Sequence, residues 1–294
     1  MKISNIQHGS TSDGPGLRTT VFCSGCNLRC GWCHNPETWS ARPRLLFYAA
    51  KCASCGLCAG LCPNGAVSFA DGVRRFDAGR CTACGECARL CPAGAVELSC
   101  REMGEDEVFA EIARDEPFYR SSGGGATFSG GEPLLQPDAV VRLADRCRAA
   151  GWTSLLDTAG CVPENVWQAA LPHFDLVYLD AKTVDAADCA RFTGGDFARI
   201  ETNTAWACRN HPGVTIRVPL IPGVNLERLP ELGDYLLRTG AQRVCLLPFH
   251  RLGGGKYRAL GLEYPYAAQE PLEKSRLLAA ADELRAMGLS VWTE

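Results

Sequence analysis

Three cysteines, Cys26, Cys30 and Cys33, stand in the run GCNLRCGWCHNPE with C-x3-C-x2-C spacing, and no fourth cysteine follows in that run. Thiolates are soft ligands suited to zinc and iron–sulfur clusters. A [4Fe–4S] cubane has four irons, so three protein ligands leave one iron with an open coordination position, as an open zinc site leaves room for substrate. Chemistry can occur at that open iron. A structural zinc site completed by His34 is the competing arrangement, but zinc-binding runs usually pair two C-x2-C units, and His34 directly abuts Cys33.

Eight further cysteines fall in two runs of the form C-x2-C-x2-C-x3-C-P: Cys52, Cys55, Cys58 and Cys62 before Pro63, then Cys81, Cys84, Cys87 and Cys91 before Pro92. This is the bacterial two-cluster ferredoxin run, in which the last cysteine of each run ligates the other cluster. The pattern groups Cys52, Cys55, Cys58 and Cys91 on one [4Fe–4S] cluster and Cys81, Cys84, Cys87 and Cys62 on a second. Four ligands each leave no open iron, so the expected role is electron relay, with which a purely structural role is compatible. The other seven cysteines, Cys23, Cys100, Cys147, Cys161, Cys189, Cys208 and Cys245, mostly read as buried small hydrophobes.

These residues need a frame. Residues 52–67 and 81–96 match cysteine for cysteine at an offset of 29, and only about residues 44–100 enclose both copies. So short a segment cannot build a substantial apolar core, so its clusters are expected to hold it together as an insertion. Outside it, six β-rich runs look like buried parallel strands: Leu17–Cys23, Ala126–Ser129, Thr153–Asp157, Leu176–Asp180, Thr215–Leu220 and Arg243–Leu247. Helical spacing recurs between or after them at Glu105–Arg114, Asp138–Ala150, Pro163–Ala170, Asp185–Phe192, Leu229–Thr239 and Pro271–Met287. Ser121–Gly125 and Leu252–Gly255 read as glycine-rich loops near strand ends, where parallel α/β folds usually carry their ligands. Six β/α units make an α/β barrel or an open sheet; the expected architecture is α/β, a partial (β/α)6 TIM-like barrel of residues 1–43 and 101–294, with a two-cluster ferredoxin-like insert at 44–100.

Composition narrows the classes. The 294 residues are 46% hydrophobic and 21% charged, without a run of 18 apolar residues that would suggest a membrane span. A formal charge of -3 and the absence of like-charge blocks argue against nucleic acid or an anionic membrane as partner. Residues 1–10 lack the apolar core and cleavage site of a secretory signal, so a cytoplasmic location is expected. A high cysteine count there points to metal rather than disulfides.

Several motifs together carry a resemblance. Ser12-Asp13-Gly14-Pro15-Gly16-Leu17-Arg18, the three-cysteine run and Phe128-Ser129-Gly130-Gly131-Glu132-Pro133 follow one another as in the activating enzymes of glycyl radical enzymes. These belong to the radical S-adenosylmethionine superfamily, and the chain resembles the branch with a two-cluster ferredoxin insert over nearly its whole length. The resemblance implies three [4Fe–4S] clusters. It also implies S-adenosylmethionine held on the open iron and reductively cleaved to a 5′-deoxyadenosyl radical, and a partner glycyl radical enzyme from whose glycine that radical takes hydrogen. A low-potential donor such as flavodoxin or ferredoxin is implied as electron source.

Residue by residue, the resemblance sets Trp32, Cys33 and His34 along the adenine side of S-adenosylmethionine, and Gly130, Gly131 and Glu132 about its methionine end. Asp157-Thr158-Ala159-Gly160 and Asp180-Ala181-Lys182 resemble the family's Asp-Thr-x-Gly and Asp-Leu-Lys motifs, with Ala181 replacing the usual leucine. They are implied to contact the cofactor, and Asp157, Thr158 and Asp180 to hold a monovalent cation beside it. Arg217 is implied to face the cofactor carboxylate or the partner's glycine loop, a role suited to its donor fork. His250 falls near the adenosine, and Asp13 near the partner loop. Two other functions are compatible with parts of the chain: a radical S-adenosylmethionine enzyme acting on a small molecule, and a ferredoxin-type electron carrier, the latter disfavoured by the three-cysteine run. A phosphate-binding P-loop is unsupported, because no Gly-Lys-Ser/Thr follows the glycines.

Overall fold

The computed structural model describes residues 1–294. Its strands, in chain order, are β1 (Lys2–Ser10), β2 (Arg18–Cys23), β3 (Leu45–Phe47), β4 (Val67–Ala70), β5 (Val73–Phe76), β6 (Val96–Leu98), β7 (Arg101–Glu102), β8 (Gly125–Gly130), β9 (Thr153–Thr158), β10 (Leu176–Asp180), β11 (Val214–Leu220), β12 (Arg243–Pro248) and β13 (Ser290–Thr293). Nine of them form one sheet in the order β13-β12-β11-β10-β9-β8-β2-β1-β7. From β2 to β13 all neighbours are parallel; β1 runs antiparallel to β2, and β7 antiparallel to β1. The chain is thus an α/β protein built on a large parallel sheet.

All six strands expected from β-rich runs are present, each within one residue at either end, because β-branched and apolar residues buried on both faces leave a continuous signal. The six expected helices are present too, with boundaries that move by up to three residues. Asp185 illustrates a start signal at work: its carboxylate accepts the Asp188 N–H at 2.8 Å and caps the helix Ala186–Thr193. In Leu229–Thr239 the buried face is Leu229, Leu232, Tyr235 and Leu236. Truncating the fully buried Leu236 to alanine would cost about 2–5 kcal/mol.

Two expected loops contain helix. Ser121 and Ser122 end the helix Glu116–Ser122, which Gly123 stops at φ 70°, and Gly125 already begins β8. Gly254 and Gly255 open the helix Gly254–Ala259. A further helix, Phe197–Asn210, carried no clear apolar period because its buried face includes Asn203 and Thr204. Burial is tolerated there because the Asn203 amide donates to the carbonyls of Gly160 and Val162.

Leu45 to Leu98 stands apart from the main sheet as two small antiparallel sheets, β3 with β6 and β4 with β5. It packs on the main body through a small cluster of Leu46, Ala259 and Leu260. At the opposite end of the parallel strands from the site described below, Arg18 is fully buried. Its guanidinium donates to Thr127 and Thr153 hydroxyls and to the carbonyls of Pro15, Ala126 and Thr153, tying the starts of β2, β8 and β9 together.

Candidate active site

The C-terminal ends of β2, β8, β9, β10, β11 and β12 all reach one cleft, a cavity of about 490 Å³. A parallel α/β sheet presents its ligand site at this edge. Cys26, Cys30 and Cys33 line the cleft from the loop after β2. Burial pushes the thiols of Cys26 and Cys30 up to about 11 and about 12, and raises Cys33 as well. A positive charge is needed nearby to ionise them. Lys182 supplies part of it: burial works against its ammonium, but Asp180 and the Cys30 thiolate outweigh burial and hold it charged.

The loop bearing the thiols is fixed by backbone contacts. Gly25 N–H donates to Thr38, the Gly25 carbonyl accepts from Glu132 N–H at 2.8 Å, and Gly131 N–H donates to the Cys23 carbonyl. A Cβ on Gly131 would lie 2.1 Å from the Gly25 oxygen, so only glycine lets the end of β8 approach this closely. Gly131 therefore has a structural reason of its own, besides lining the cleft with Gly130.

Charged pairs occupy the ends of successive strands. Asp157 on β9 faces Arg217 on β11 at 3.7 Å and accepts from Ser129 at 2.6 Å; Asp180 on β10 is paired with Lys182. Arg217 also lies over the Tyr178 ring at 5.2 Å and 3.7 Å from Glu294, and its buried Nε has no partner. Burial raises the Asp157 carboxyl, and Arg217 draws it back down. Asp13 accepts from Ser10 and Thr20 at 2.6 and 2.7 Å along the same lining.

On another wall the His34 and His250 rings stack at 4.0 Å, and Trp32 meets Tyr266 edge to face. Burial lowers both imidazoles, His34 to about 4, so the wall is aromatic and uncharged at neutral pH. Lys256 reaches across to Asn35 at 2.7 Å and to Glu37, anchoring the segment after Cys33.

Of the residues singled out from sequence, the cleft gathers Asp13, Cys26, Cys30, Trp32, Cys33, His34, Gly130, Gly131, Asp157, Thr158, Asp180, Lys182, Arg217 and His250. Glu132 and Ala181 are not among its lining residues and are buried behind it. Glu132 is fully buried and accepts from the Thr158 hydroxyl and from the N–H groups of Leu134 and Ala159, clamping the end of β8 to that of β9. Desolvation pushes its carboxyl up to about 7. Sequence reasoning passed over Phe22, Trp39, Phe249 and Glu294, which also line the cleft. Only the position of Trp39, shortly after the cysteine run, offered a signal.

The cysteines of residues 52–91 surround two other cavities. Cys52, Cys55, Cys58 and Cys91 line one, with Cys87 on the shared wall; Cys62, Cys81, Cys84 and Cys87 line the other. Backbone amides already point at several sulfurs: Ala66 N–H at Cys62 (3.2 Å), Ala83 N–H at Cys81 (3.3 Å) and Ala95 N–H at Cys91 (3.3 Å). Ser54 and Ala83, equivalent positions of the repeat, share a left-handed φ of 52°.

Residues 12–188 match the family model described as a 4Fe-4S single cluster domain. Over 94% of its length the chain is 36% identical to the choline trimethylamine-lyase activating enzyme of Oleidesulfovibrio alaskensis, covering 92% of that protein. It is also 36% identical to the benzylsuccinate synthase activating enzyme of Thauera aromatica, over 98% of this chain and 91% of the relative. The chain belongs to the activating enzymes of glycyl radical enzymes. As a member of that family it is a radical S-adenosylmethionine oxidoreductase whose partner is a glycyl radical enzyme. The (2S)-3-sulfopropanediol dehydratase activating enzyme of Klebsiella oxytoca is 37% identical over 89% of this chain and 86% of its own. Among solved structures, Streptococcus suis SuiB bound to precursor peptide SuiA superposes with a TM-score of 0.53 at 13% identity, covering 96% of this chain and 49% of SuiB, a likeness of fold.

Proposed function

We propose that this activating enzyme carries a [4Fe–4S] cluster on Cys26, Cys30 and Cys33, with S-adenosylmethionine in the adjoining cleft. The observation that carries the proposal is the meeting, in one cavity, of three thiols, the Gly130–Gly131 edge and two carboxylate–cation pairs. When bound, the cluster supplies the electron that cleaves S-adenosylmethionine to methionine and a 5′-deoxyadenosyl radical, which takes the α-hydrogen of a partner glycine and leaves as 5′-deoxyadenosine. Lys182 offsets the thiolate charge beside Cys30. Arg217 presents a planar fork to the cofactor carboxylate or to the incoming glycine loop. Trp32, His34 and His250 offer a neutral aromatic wall for adenine, and Asp13 borders the path of the partner loop.

Glu132 and Ala181 act from behind the lining, Glu132 by fixing Thr158 and the ends of β8 and β9. A monovalent cation at Asp157, Thr158 and Asp180 would compete with the Lys182 ammonium for Asp180. Phe22, Leu28 and Phe249 supply apolar lining that keeps water from a reactive radical.

Residues 44–100 form, in this proposal, a separate module with two more [4Fe–4S] clusters, inserted in a main domain of 1–43 and 101–294. The two thiol-lined cavities support it, with Cys91 and Cys62 each lying with the other run. The module would pass electrons from a low-potential donor such as flavodoxin or ferredoxin. The sequential strand order supports a partial barrel. Right-handed crossovers all stepping one way put the helices on one face, and six strand ends can share one cleft only if the sheet curls toward the other. None of the eighteen cysteines is joined in a disulfide, which suits a reducing cytoplasm, and no helix is long and apolar enough to cross a membrane.

The test is 5′-deoxyadenosine formation by anaerobically reconstituted protein given S-adenosylmethionine and a strong reductant. Product that disappears in the Cys26→Ala/Cys30→Ala/Cys33→Ala variant is expected. No product from protein with fully loaded clusters would overturn the proposal.

A further inference from the structure

The repeat gives the insert an internal control. An offset of 29 relates not only the cysteines but also the strands that precede each run: β3 leads into the first and β5 into the second, with Phe47 equivalent to Phe76. At the position two residues before that phenylalanine the copies differ, because Leu45 in the first corresponds to Arg74 in the second. The difference falls on the cavities. Arg74 lines the one bounded by Cys52, Cys55, Cys58 and Cys91, and Leu45 lines the one bounded by Cys62, Cys81, Cys84 and Cys87.

Arg74 is held in place by two aromatic faces, 4.4 Å from the Phe47 centroid and 5.3 Å from that of Phe76. No carboxylate pairs with it within salt-bridge distance. Its Nε and Nη2 are buried and donate to nothing in the protein, an arrangement that costs free energy unless an acceptor stands in the cavity. A guanidinium cannot escape this by losing its proton. Sulfur atoms of a cluster on the four neighbouring thiols are acceptors of the right kind.

We infer that Arg74 sets the two insert clusters apart, donating hydrogen bonds and positive charge to the one on Cys52, Cys55, Cys58 and Cys91 and raising its reduction potential above its twin's. The inference rests on the two-cluster proposal. Reduction adds one negative charge to a cluster, and both N–H donors and a nearby cation stabilise the reduced form more than the oxidised one. Leu45 gives the other cluster neither, and that cluster meets the Arg74 charge through Cys87 on the shared wall, whereas the first presents its own thiols to it. A second exchange points the same way, more weakly: Leu57 beside the first cavity corresponds to Glu86 beside the second, where Glu86 is half-buried and already paired with Arg89 at 2.7 Å. An electron entering the insert therefore rests on the Arg74 side.

The experiment is a redox titration followed by electron paramagnetic resonance on the full chain carrying Cys26→Ala, Cys30→Ala and Cys33→Ala, so that only insert clusters report, with iron and sulfide counted in each sample. Two separate midpoints are expected. Arg74→Leu should lower the higher midpoint by about tenfold in the reduction equilibrium constant, about 59 mV for one electron, and Leu45→Arg should raise the lower one. Midpoints unmoved by Arg74→Leu at full cluster content would overturn the role of Arg74. Should that variant lose a cluster, Leu45→Arg decides alone, and an unmoved lower midpoint overturns the inference. Failure of the two-cluster proposal would show separately, as less than two clusters' worth of iron before any substitution at Arg74.

Discussion

In the cleft, three thiols sit at the end of a deeply packed parallel sheet, where burial drives Cys26 and Cys30 up to about 11 and about 12. In the insert, Cys62 and Cys91 lie near solvent with backbone amides aimed at their sulfurs: amides hold Cys62 below the usual thiol range, and at Cys91 they outweigh burial to the same end. One site is positioned by tertiary packing and only partly balanced by a single lysine, Lys182. The other is positioned by its own tight turns. Local turns can repeat, and they do so after 29 residues; the cleft needs six strands and is built once. The difference matches the roles proposed, a reactive open iron kept from water against four-ligand clusters that only hand electrons on.

The largest expected effect separates the two regions outright. Cys30→Ala should reduce S-adenosylmethionine cleavage by about a thousandfold or more while the insert retains its iron, as read from product and metal analysis. Loss of insert iron in that variant would mean that the regions are not independent. Next in size, Cys84→Ser should slow turnover driven by a protein donor about tenfold to a hundredfold, yet leave turnover with dithionite within about twofold. Equal losses with both reductants would remove the relay role.

Cluster loading should also differ with pH. Thiols must ionise to bind iron, so binding releases protons, and raised thiols release them only at higher pH. Between about pH 6 and pH 9 the cleft's iron affinity should rise by roughly tenfold per pH unit for each thiol that must ionise, whereas Cys62 and Cys91 of the insert, held low by backbone amides, ionise at lower pH than the cleft thiols. Iron counts on cleft-only and insert-only cysteine variants check this. The smallest effect concerns Glu132. Its carboxyl is raised to about 7 when folded, so the stability associated with its protonated form is complete below the unfolded value of 4.5 and declines as pH rises through about 7. The parent should lose about 2 kcal/mol from this group between about pH 5 and 7. Glu132→Gln should abolish that slope in urea melts, whereas an unchanged slope would assign it elsewhere.

Much of this was legible in the sequence because the informative signals are local. Cysteine spacing named the thiols that gather in the cleft and around the two smaller cavities, and unbroken apolar runs named six parallel strands. What was hidden depends on contacts far apart in the chain. Nothing near His34 announces that it stacks on His250, and Glu132 stands in a motif implied to touch the cofactor, although its carboxylate is consumed by Thr158, Leu134 and Ala159. The helix Phe197–Asn210 escaped because its buried face is partly polar, and Arg74 because its meaning lies in the difference from Leu45 at the equivalent position.

The central claim is a division of labour between three thiols that do chemistry and eight that deliver electrons. It is tested most directly by 5′-deoxyadenosine formation with dithionite in two variants side by side, Cys26→Ala/Cys30→Ala/Cys33→Ala and Cys55→Ser/Cys84→Ser. The account predicts no product from the first and product near the parent level from the second. Product from the first, or none from the second while its cleft iron is intact, would contradict it.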